Sequence, residues 1–72
     1  MKTKTRYFEF VENGGMFPTF KKIDGNGKVW FFSLEGTWAA SNYSKTEILK
    51  CLKLREAVEI PTKEAVLMFS VL

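Results

Sequence analysis

The first forty residues alternate between short aromatic or apolar runs and glycine-rich turns. Residues 6–11 read Arg-Tyr-Phe-Glu-Phe-Val, an aromatic and β-branched run that predicts a strand. Because side chains alternate across a strand, Phe8 and Phe10 should share one face and Tyr7 should lie on the other. Residues 13–15 then read Asn-Gly-Gly, which is typical of a hairpin turn.

A second strand and a second turn are predicted by the residues that follow. The run Met16–Ile23 resumes extended character, but Pro18 has no amide proton to donate, so this strand should lie at a sheet edge or be bulged there. Asp-Gly and Asn-Gly occur together in Asp24–Gly27, and both pairs favour the primed turns that connect hairpin strands. A third strand is predicted over Lys28–Leu34.

Both sides of the third strand are largely apolar. Trp30 and Phe32 should share one face, whereas Phe31 should lie on the other beside a valine. The pattern leaves two alternatives: a central strand covered on both faces, or a strand with one covered face and one exposed aromatic face. After a turn at Gly36, a short fourth strand is predicted over Thr37–Ala40.

A helix start is the clearest signal in the second half of the chain. Residues 44–47 read Ser-Lys-Thr-Glu and fit a capping box, in which the Ser44 hydroxyl accepts from the Glu47 amide and the Glu47 carboxylate accepts from the Ser44 amide. We therefore expect a helix to begin at Lys45. Three apolar residues at helical spacing are suited to cover one face of the sheet, namely Ile48, Leu49 and Leu52.

The last part of the chain leaves alternatives open. Ala57–Ile60 can end the helix or form a short strand. Thr62 has the character of an N-cap, and Glu64 would suit the positive end of a helix dipole. Residues 65–72 are apolar all round, so they predict either a helix buried on more than one side or an edge strand prone to pair with other strands. The helix-start signal favours the helix.

These elements predict an α+β fold, in which a small antiparallel sheet of three to four strands, built from β-hairpins, is followed by one or two helices packed on it. A chain of 72 residues should form a single domain, residues 1–72. A domain of this size buries only about 60% of the surface that its unfolded chain exposes, so its stability margin is thin.

The inventory of reactive side chains argues against catalysis and metal binding. Cys51 is the only cysteine and the chain has no histidine, so an intramolecular disulfide and a Cys/His metal site are both excluded. Histidine-based acid and base chemistry is excluded for the same reason. Cys51 is expected to be a small buried hydrophobe rather than a nucleophile, because no histidine is available to activate it. We therefore expect a protein that is not an enzyme, with no catalytic residues, no cofactor and no metal.

The charge and hydropathy of the chain narrow the range of cellular compartments and of binding partners that are expected. The net charge is +3, and neither half of the chain is a strongly basic block. The apolar run at residues 65–69 is too short to cross a bilayer, which predicts no membrane partner. Glu9 and Glu12 interrupt any secretory signal after the basic N-terminus. A soluble, cytoplasmic protein with a reduced thiol is therefore expected.

The first functional hypothesis is a small noncatalytic protein-binding module that acts by surface contact. The chain has more aromatic surface than a core of this size can hide, and exposed aromatic residues are the usual anchors of protein interfaces. The aromatic residues predicted to remain for contact are Tyr7, Phe17, Phe31 and Tyr43. A short chain of this kind resembles the accessory and inhibitor proteins of phages and other mobile elements. Residues 65–72 predict a homo-oligomer, such as a homodimer.

The second hypothesis is a small basic nucleic-acid-binding protein. Phe20, Phe31 or Tyr7 would stack on bases. Three lysines that flank one turn would bind the phosphates, namely Lys21, Lys22 and Lys28. The even charge balance favours a protein partner over nucleic acid, because nucleic-acid-binding domains usually carry a basic stripe.

Overall fold

A computed structural model describes residues 4–10 and 19–69, which form a five-stranded antiparallel sheet and two helices. The elements in chain order are β1 (Arg6–Phe10), β2 (Thr19–Ile23), β3 (Val29–Phe32), β4 (Trp38–Ala40), α1 (Lys45–Lys53), β5 (Ala57–Ile60) and α2 (Thr62–Phe69). The strand order across the sheet is β4-β3-β2-β1-β5. The predicted α+β class is confirmed, and the open alternative for residues 57–60 resolves to a fifth strand beside β1.

The strand register assigns every second side chain to one of two faces. Phe8 lies opposite Lys21, which lies opposite Phe31, so these residues point to one side of the sheet, named here the α1 face. The other side is the α2 face, to which Tyr7 and Lys22 point. The predicted alternation of Phe8 and Tyr7 across β1 is confirmed by this register.

The main core lies between α1 and the α1 face. Phe8 and Ile48 are fully buried there, and each contributes about 1.5 to 3 kcal/mol by leaving water. The other buried members of this core are Phe10, Ile23, Val29 and Ala57. Cys51 and Leu52 pack against it while partly exposed. The predicted stripe therefore holds for Ile48 and Leu52, whereas Leu49 is 36% exposed and points away from the sheet.

Two hairpin loops of the same design connect β2 to β3 and β3 to β4. In the first, the Gly27 amide donates to the Asp24 carbonyl at 3.0 Å, and Gly27 has φ of +85°. Gly36 repeats this geometry with φ of +83° and a 3.0 Å bond to the Ser33 carbonyl. A turn followed by a left-handed glycine is the three-residue hairpin loop with a bulge. The expected primed turn at Asp24–Gly27 is therefore wrong, because the two central residues do not have positive φ.

The position of β2 also differs from the expectation. Residues Thr19–Ile23 pair with β1 on one side and with β3 on the other, so β2 lies inside the sheet. Pairing on both sides is possible because Thr19 is the first residue of the strand, and every paired residue keeps its amide proton. The alternative of a bulge at Pro18 lies outside the described residues, as does the predicted turn at residues 13–15.

Local signals fix both ends of α1. The capping box is confirmed, since the Glu47 amide donates to Ser44 Oγ at 3.2 Å and the Ser44 amide donates to Glu47 Oε1 at 3.0 Å. At the other end, the amides of Arg55 and Glu56 donate back to α1 carbonyls in the pattern of a Schellman motif. Arg55 takes the left-handed position of that motif with φ of +61°, where glycine is usual.

The helix predicted near the C-terminus is confirmed as α2, and Thr62 is its first residue rather than its N-cap. The Pro61 carbonyl accepts from the Ala65 amide at 3.0 Å. Ala65 is fully buried, but Val66, Leu67 and Met68 are exposed, so the expected burial on more than one side is wrong. Residues 70–72 lie outside the described part. None of the helices in the described part is long and apolar enough to span a membrane.

Candidate protein-contact groove

The α1 face has a part that α1 leaves open. Next to the core, between the strands β2 and β3 and the segment that follows β4, lies a shallow groove of about 300 Å³. Its lining consists of Thr19, Phe20, Lys21, Phe31, Phe32, Ser41, Asn42 and Tyr43. This contact groove brings together three of the residues predicted for partner binding, namely Lys21, Phe31 and Tyr43.

Lys21 holds a defined position in the contact groove. Its Nζ lies 4.3 Å from the centroid of the Phe10 ring and 4.8 Å from that of Tyr43. The two rings meet edge to face with centroids 6.1 Å apart. Contacts between an ammonium group and ring faces are attractive. These contacts hold Lys21 and Tyr43 in defined positions.

The exposed aromatic surface of the contact groove comes from Phe31 and Tyr43. Phe31 is 39% exposed and lies opposite Lys21 in the sheet register, while Tyr43 is 41% exposed. A local turn orients Tyr43, because its amide donates to Ser41 Oγ at 3.1 Å. The helix start at Ser44 then fixes the next residue. Two different local signals thus hold Tyr43 over the sheet.

A buried hydroxyl lies at one end of the contact groove. Thr19 Oγ1 is buried and has no hydrogen-bond partner among the described residues. Buried polar atoms usually have a partner, because leaving one unpaired costs about 1 to 3 kcal/mol. The sequence pattern does not predict Thr19, Ser41 or Asn42 as contact residues. Their place in the contact groove depends on the chain folding back over the sheet after β4.

The α2 face places Tyr7 and Lys22 in a different environment. The Phe69 ring of α2 lies at the centre of a cluster of half-buried rings, with centroids 4.9 to 5.9 Å away. The rings around it belong to Tyr7, Phe20, Phe32 and Trp38. Lys22 Nζ lies 4.5 Å from the Trp38 centroid, and burial lowers the pKa of this lysine although Asp24 opposes the shift. Tyr7 and Lys22 therefore support the packing of α2.

Lys28 lies on the first hairpin loop, away from the contact groove. Its Nζ is 4.5 Å from the centroid of the Trp30 ring. Trp30 Nε1 donates to Asp24 Oδ2 at 3.0 Å, which lowers the pKa of the Asp24 carboxyl, helped by the Lys28 amide. Phe17, the remaining candidate from the sequence, lies outside the described residues.

The chain was compared with protein-family models, with curated proteins and with solved structures, and none of the three comparisons gives a match. The side chains of the contact groove offer ring faces, a cation and hydroxyl and amide groups, which can bind a partner surface. Within residues 4–10 and 19–69, no three His, Cys, Asp or Glu side chains cluster in a way that could hold a metal ion.

Proposed function

We propose that this domain is a small noncatalytic protein-binding module and that the contact groove is its binding surface. One observation carries the proposal: Phe31 and Tyr43 remain exposed beside Lys21 on the part of the sheet that α1 does not cover. Aromatic residues supply large contact area at a low cost in side-chain entropy. An inhibitor or accessory protein of phage type, acting in the cytoplasm by covering a partner's surface, needs no further chemistry.

Preorganisation supports the proposal. Binding weakens when flexible side chains must be ordered, at a cost of about 0.5 to 1.5 kcal/mol for each. Lys21 already lies on two rings, and Tyr43 is held by the turn at Ser41. A partner that offers an apolar side chain to Phe31 and a carboxylate to Lys21 would meet both groups in place.

The nucleic-acid alternative has less support. Lys21 and Phe31 are neighbours on the α1 face, where a base could stack beside a phosphate contact. Lys22 and Lys28, however, lie over the rings of Trp38 and Trp30. The lysines thus do not form one stripe, which is the arrangement that nucleic acid favours.

Photo-crosslinking tests the proposal directly. A benzophenone amino acid replaces Tyr43 in one variant and Leu34 in the control, because Leu34 is fully exposed on a loop outside the contact groove. The Tyr43 variant should crosslink one protein in stoichiometric yield from lysate, and the control should not. With that protein purified, Phe31→Ala should weaken binding by about tenfold or more, whereas Leu34→Ala should leave it unchanged.

Two outcomes would contradict the proposal. Equal crosslinking at both positions would show that captured proteins do not contact the groove in preference to the rest of the surface. Capture of an oligonucleotide whose affinity falls steeply between about 50 and 200 mM salt would favour the nucleic-acid alternative instead.

Self-association through residues 65–72 stays a prediction. Among the described residues of that segment, Val66, Leu67 and Met68 are exposed on the outer side of α2. Such residues can pack against a second copy. Light scattering across a concentration series checks this prediction by comparing the average molar mass of the wild type with that of Leu67→Lys.

A further inference from the structure

In the sheet formed within residues 4–10 and 19–69, β4 is an edge strand, and its outer side carries backbone groups that no neighbouring strand of this sheet pairs with. The Ser41 amide donates to the Val29 carbonyl at 3.0 Å, and the Ser33 amide donates to the Thr37 carbonyl at 2.8 Å. Bonded and non-bonded pairs alternate along an antiparallel ladder, so Ala39 also bonds to β3. The amide and carbonyl groups of Trp38 and Ala40 must therefore point away from β3.

The two edges of the sheet are protected to different degrees. At the β5 edge, Arg6 Nε and Nη2 donate to the two carboxylate oxygens of Glu59 at 2.9 and 2.7 Å, and Pro61 follows the strand. Charged side chains and proline are the usual devices that prevent strand-to-strand pairing. The β4 strand reads Trp-Ala-Ala and has neither charge nor proline; its three-residue length is its only protection against pairing.

The side chains along β4 leave room for a close approach. Ala39 and Ala40 carry only methyl groups. The Trp38 ring turns inward, where its centroid lies 5.0 Å from those of both Phe32 and Phe69. A second strand can therefore reach hydrogen-bonding distance without displacing a large side chain.

We propose that β4 pairs with the β4 strand of a second copy of this chain, antiparallel and centred on Ala39. In this register Trp38 lies opposite Ala40 of the second copy, and Ala40 lies opposite Trp38 of that copy. Because outward groups face outward groups, the amides and carbonyls of Trp38 and Ala40 that point away from β3 gain partners from the second copy. The interface is self-complementary, as a two-fold dimer requires.

The proposed pairing has a consequence for the contact groove. Phe31 lies next to Ala39 on the α1 face, so pairing about Ala39 places Phe31 of both copies on the same side of one continuous sheet. The pairing itself does not depend on the proposed function. A monomeric protein that still crosslinks a partner through Tyr43 would overturn the pairing and leave the proposed function intact.

Proline at position 40 is the first test. Ala40→Pro removes the outward amide proton but leaves the bonds of Thr37, Ala39 and Ser41 to β3 untouched, and proline is tolerated where an edge amide faces solvent. Sedimentation should show a concentration-dependent dimer for the wild type and for the control Ala40→Ser. The dimer dissociation constant of Ala40→Pro should be higher by about tenfold or more.

Charge exchange at position 39 tests the register and keeps the proposal falsifiable if the proline variant fails to fold. Like charges directly opposite each other are destabilising, so Ala39→Glu and Ala39→Lys should each lose the dimer that forms through β4. An equimolar mixture of the two should form a heterodimer, because position 39 faces itself across the two-fold axis. A mixture that stays monomeric would overturn the proposed register.

Amide exchange separates this interface from the outer side of α2. On raising the protein concentration, the amides of Trp38 and Ala40 should become protected, and Leu67→Lys should leave that protection unchanged. Loss of the dimer in Leu67→Lys together with its retention in Ala40→Pro would overturn the proposal. So would a wild type that remains monomeric at millimolar concentration.

Discussion

The two faces of the sheet are closed in different ways. On the α1 face, several buried side chains pack together and cover the sheet, and both Phe8 and Ile48 are fully buried. On the α2 face, Phe69 alone contacts four rings, each of which stays half-buried. The α1 core combines aliphatic side chains with the buried rings of Phe8 and Phe10. The α2 face instead carries an aromatic cluster gathered around a single residue at the end of a short helix.

The difference between the two faces predicts which of them contributes more to the free energy of unfolding. Burial stabilises most where water is fully excluded, so the α1 face should dominate the free energy of unfolding. The same face also carries the exposed Phe31 beyond the reach of α1. One side of one sheet therefore holds both the strongest core and the proposed contact groove, and substitutions should distinguish the two.

Phe8→Ala should have the largest effect. Replacing a fully buried phenylalanine by alanine costs about 3 to 5 kcal/mol, and a domain of this size has only roughly 4 to 10 kcal/mol of stability in total. Urea denaturation followed by circular dichroism should show a free energy of unfolding lower than that of the wild type by this amount. Phe31→Ala, on the same face but 39% exposed, is the control and should cost less than about 1 kcal/mol. Equal losses would refute the division of this face into core and groove.

Phe69→Ala should have the next largest effect. It removes the shared ring from four aromatic contacts, and we expect a loss of about 2 to 3 kcal/mol because Phe69 is only half-buried. The near-ultraviolet circular dichroism of Trp38 should change at the same time. Leu67→Ala is the control, since Leu67 is 72% exposed on the same helix. If both variants lose the same stability, the α2 face does not depend on Phe69.

Ser44→Ala tests how much the capping box contributes to holding α1 against the sheet. The variant removes the hydroxyl that accepts from the Glu47 amide, and losing such a cap costs about 1 kcal/mol. Thr46→Ala, in the same helical turn, leaves the capping box intact and is the control. The midpoint of urea denaturation measures both. A smaller loss for Ser44→Ala than for Thr46→Ala would mean that packing alone holds α1.

Glu59→Gln should have the smallest effect. The Arg6–Glu59 pair is about 40% exposed on both sides, so we expect less than about 1 kcal/mol, reduced further by salt. The hydrogen bond from Arg6 lowers the pKa of Glu59 in the folded state. Its contribution is therefore present above the ordinary glutamate pKa and is lost as the pH falls through the lowered value. The stability difference between wild type and variant should close over that range, and a difference that does not vary with pH would contradict this account.

Much of the local structure follows from the sequence because its causes lie within a few residues. The capping box needs only Ser44 and Glu47, which lie on one helical turn. Strand alternation puts Phe8 and Tyr7 on opposite faces whatever the rest of the chain does. The sequence predicts the position of the hairpin at Asp24–Gly27 but not its turn type, because of these four residues Gly27 alone has a left-handed conformation.

The candidate site could be predicted only in part. Exposed aromatic residues at Phe31 and Tyr43 and a cation at Lys21 follow from their types and from alternation along the strands. Their convergence in one groove does not, because it requires the chain to return over the sheet after β4. Tyr7 has the same residue type but lies under Phe69, a residue far away in the sequence.

By itself, then, the sequence determined the first four strands, their two faces and the start of α1, since each rests on interactions between close neighbours. The tertiary structure decided that β2 lies inside the sheet, that residues 57–60 pair with β1 and that Phe69 closes the α2 face. Those outcomes depend on contacts between residues distant in the chain. Their free energy is gained only when several elements pack at once, so no short window of sequence contains it.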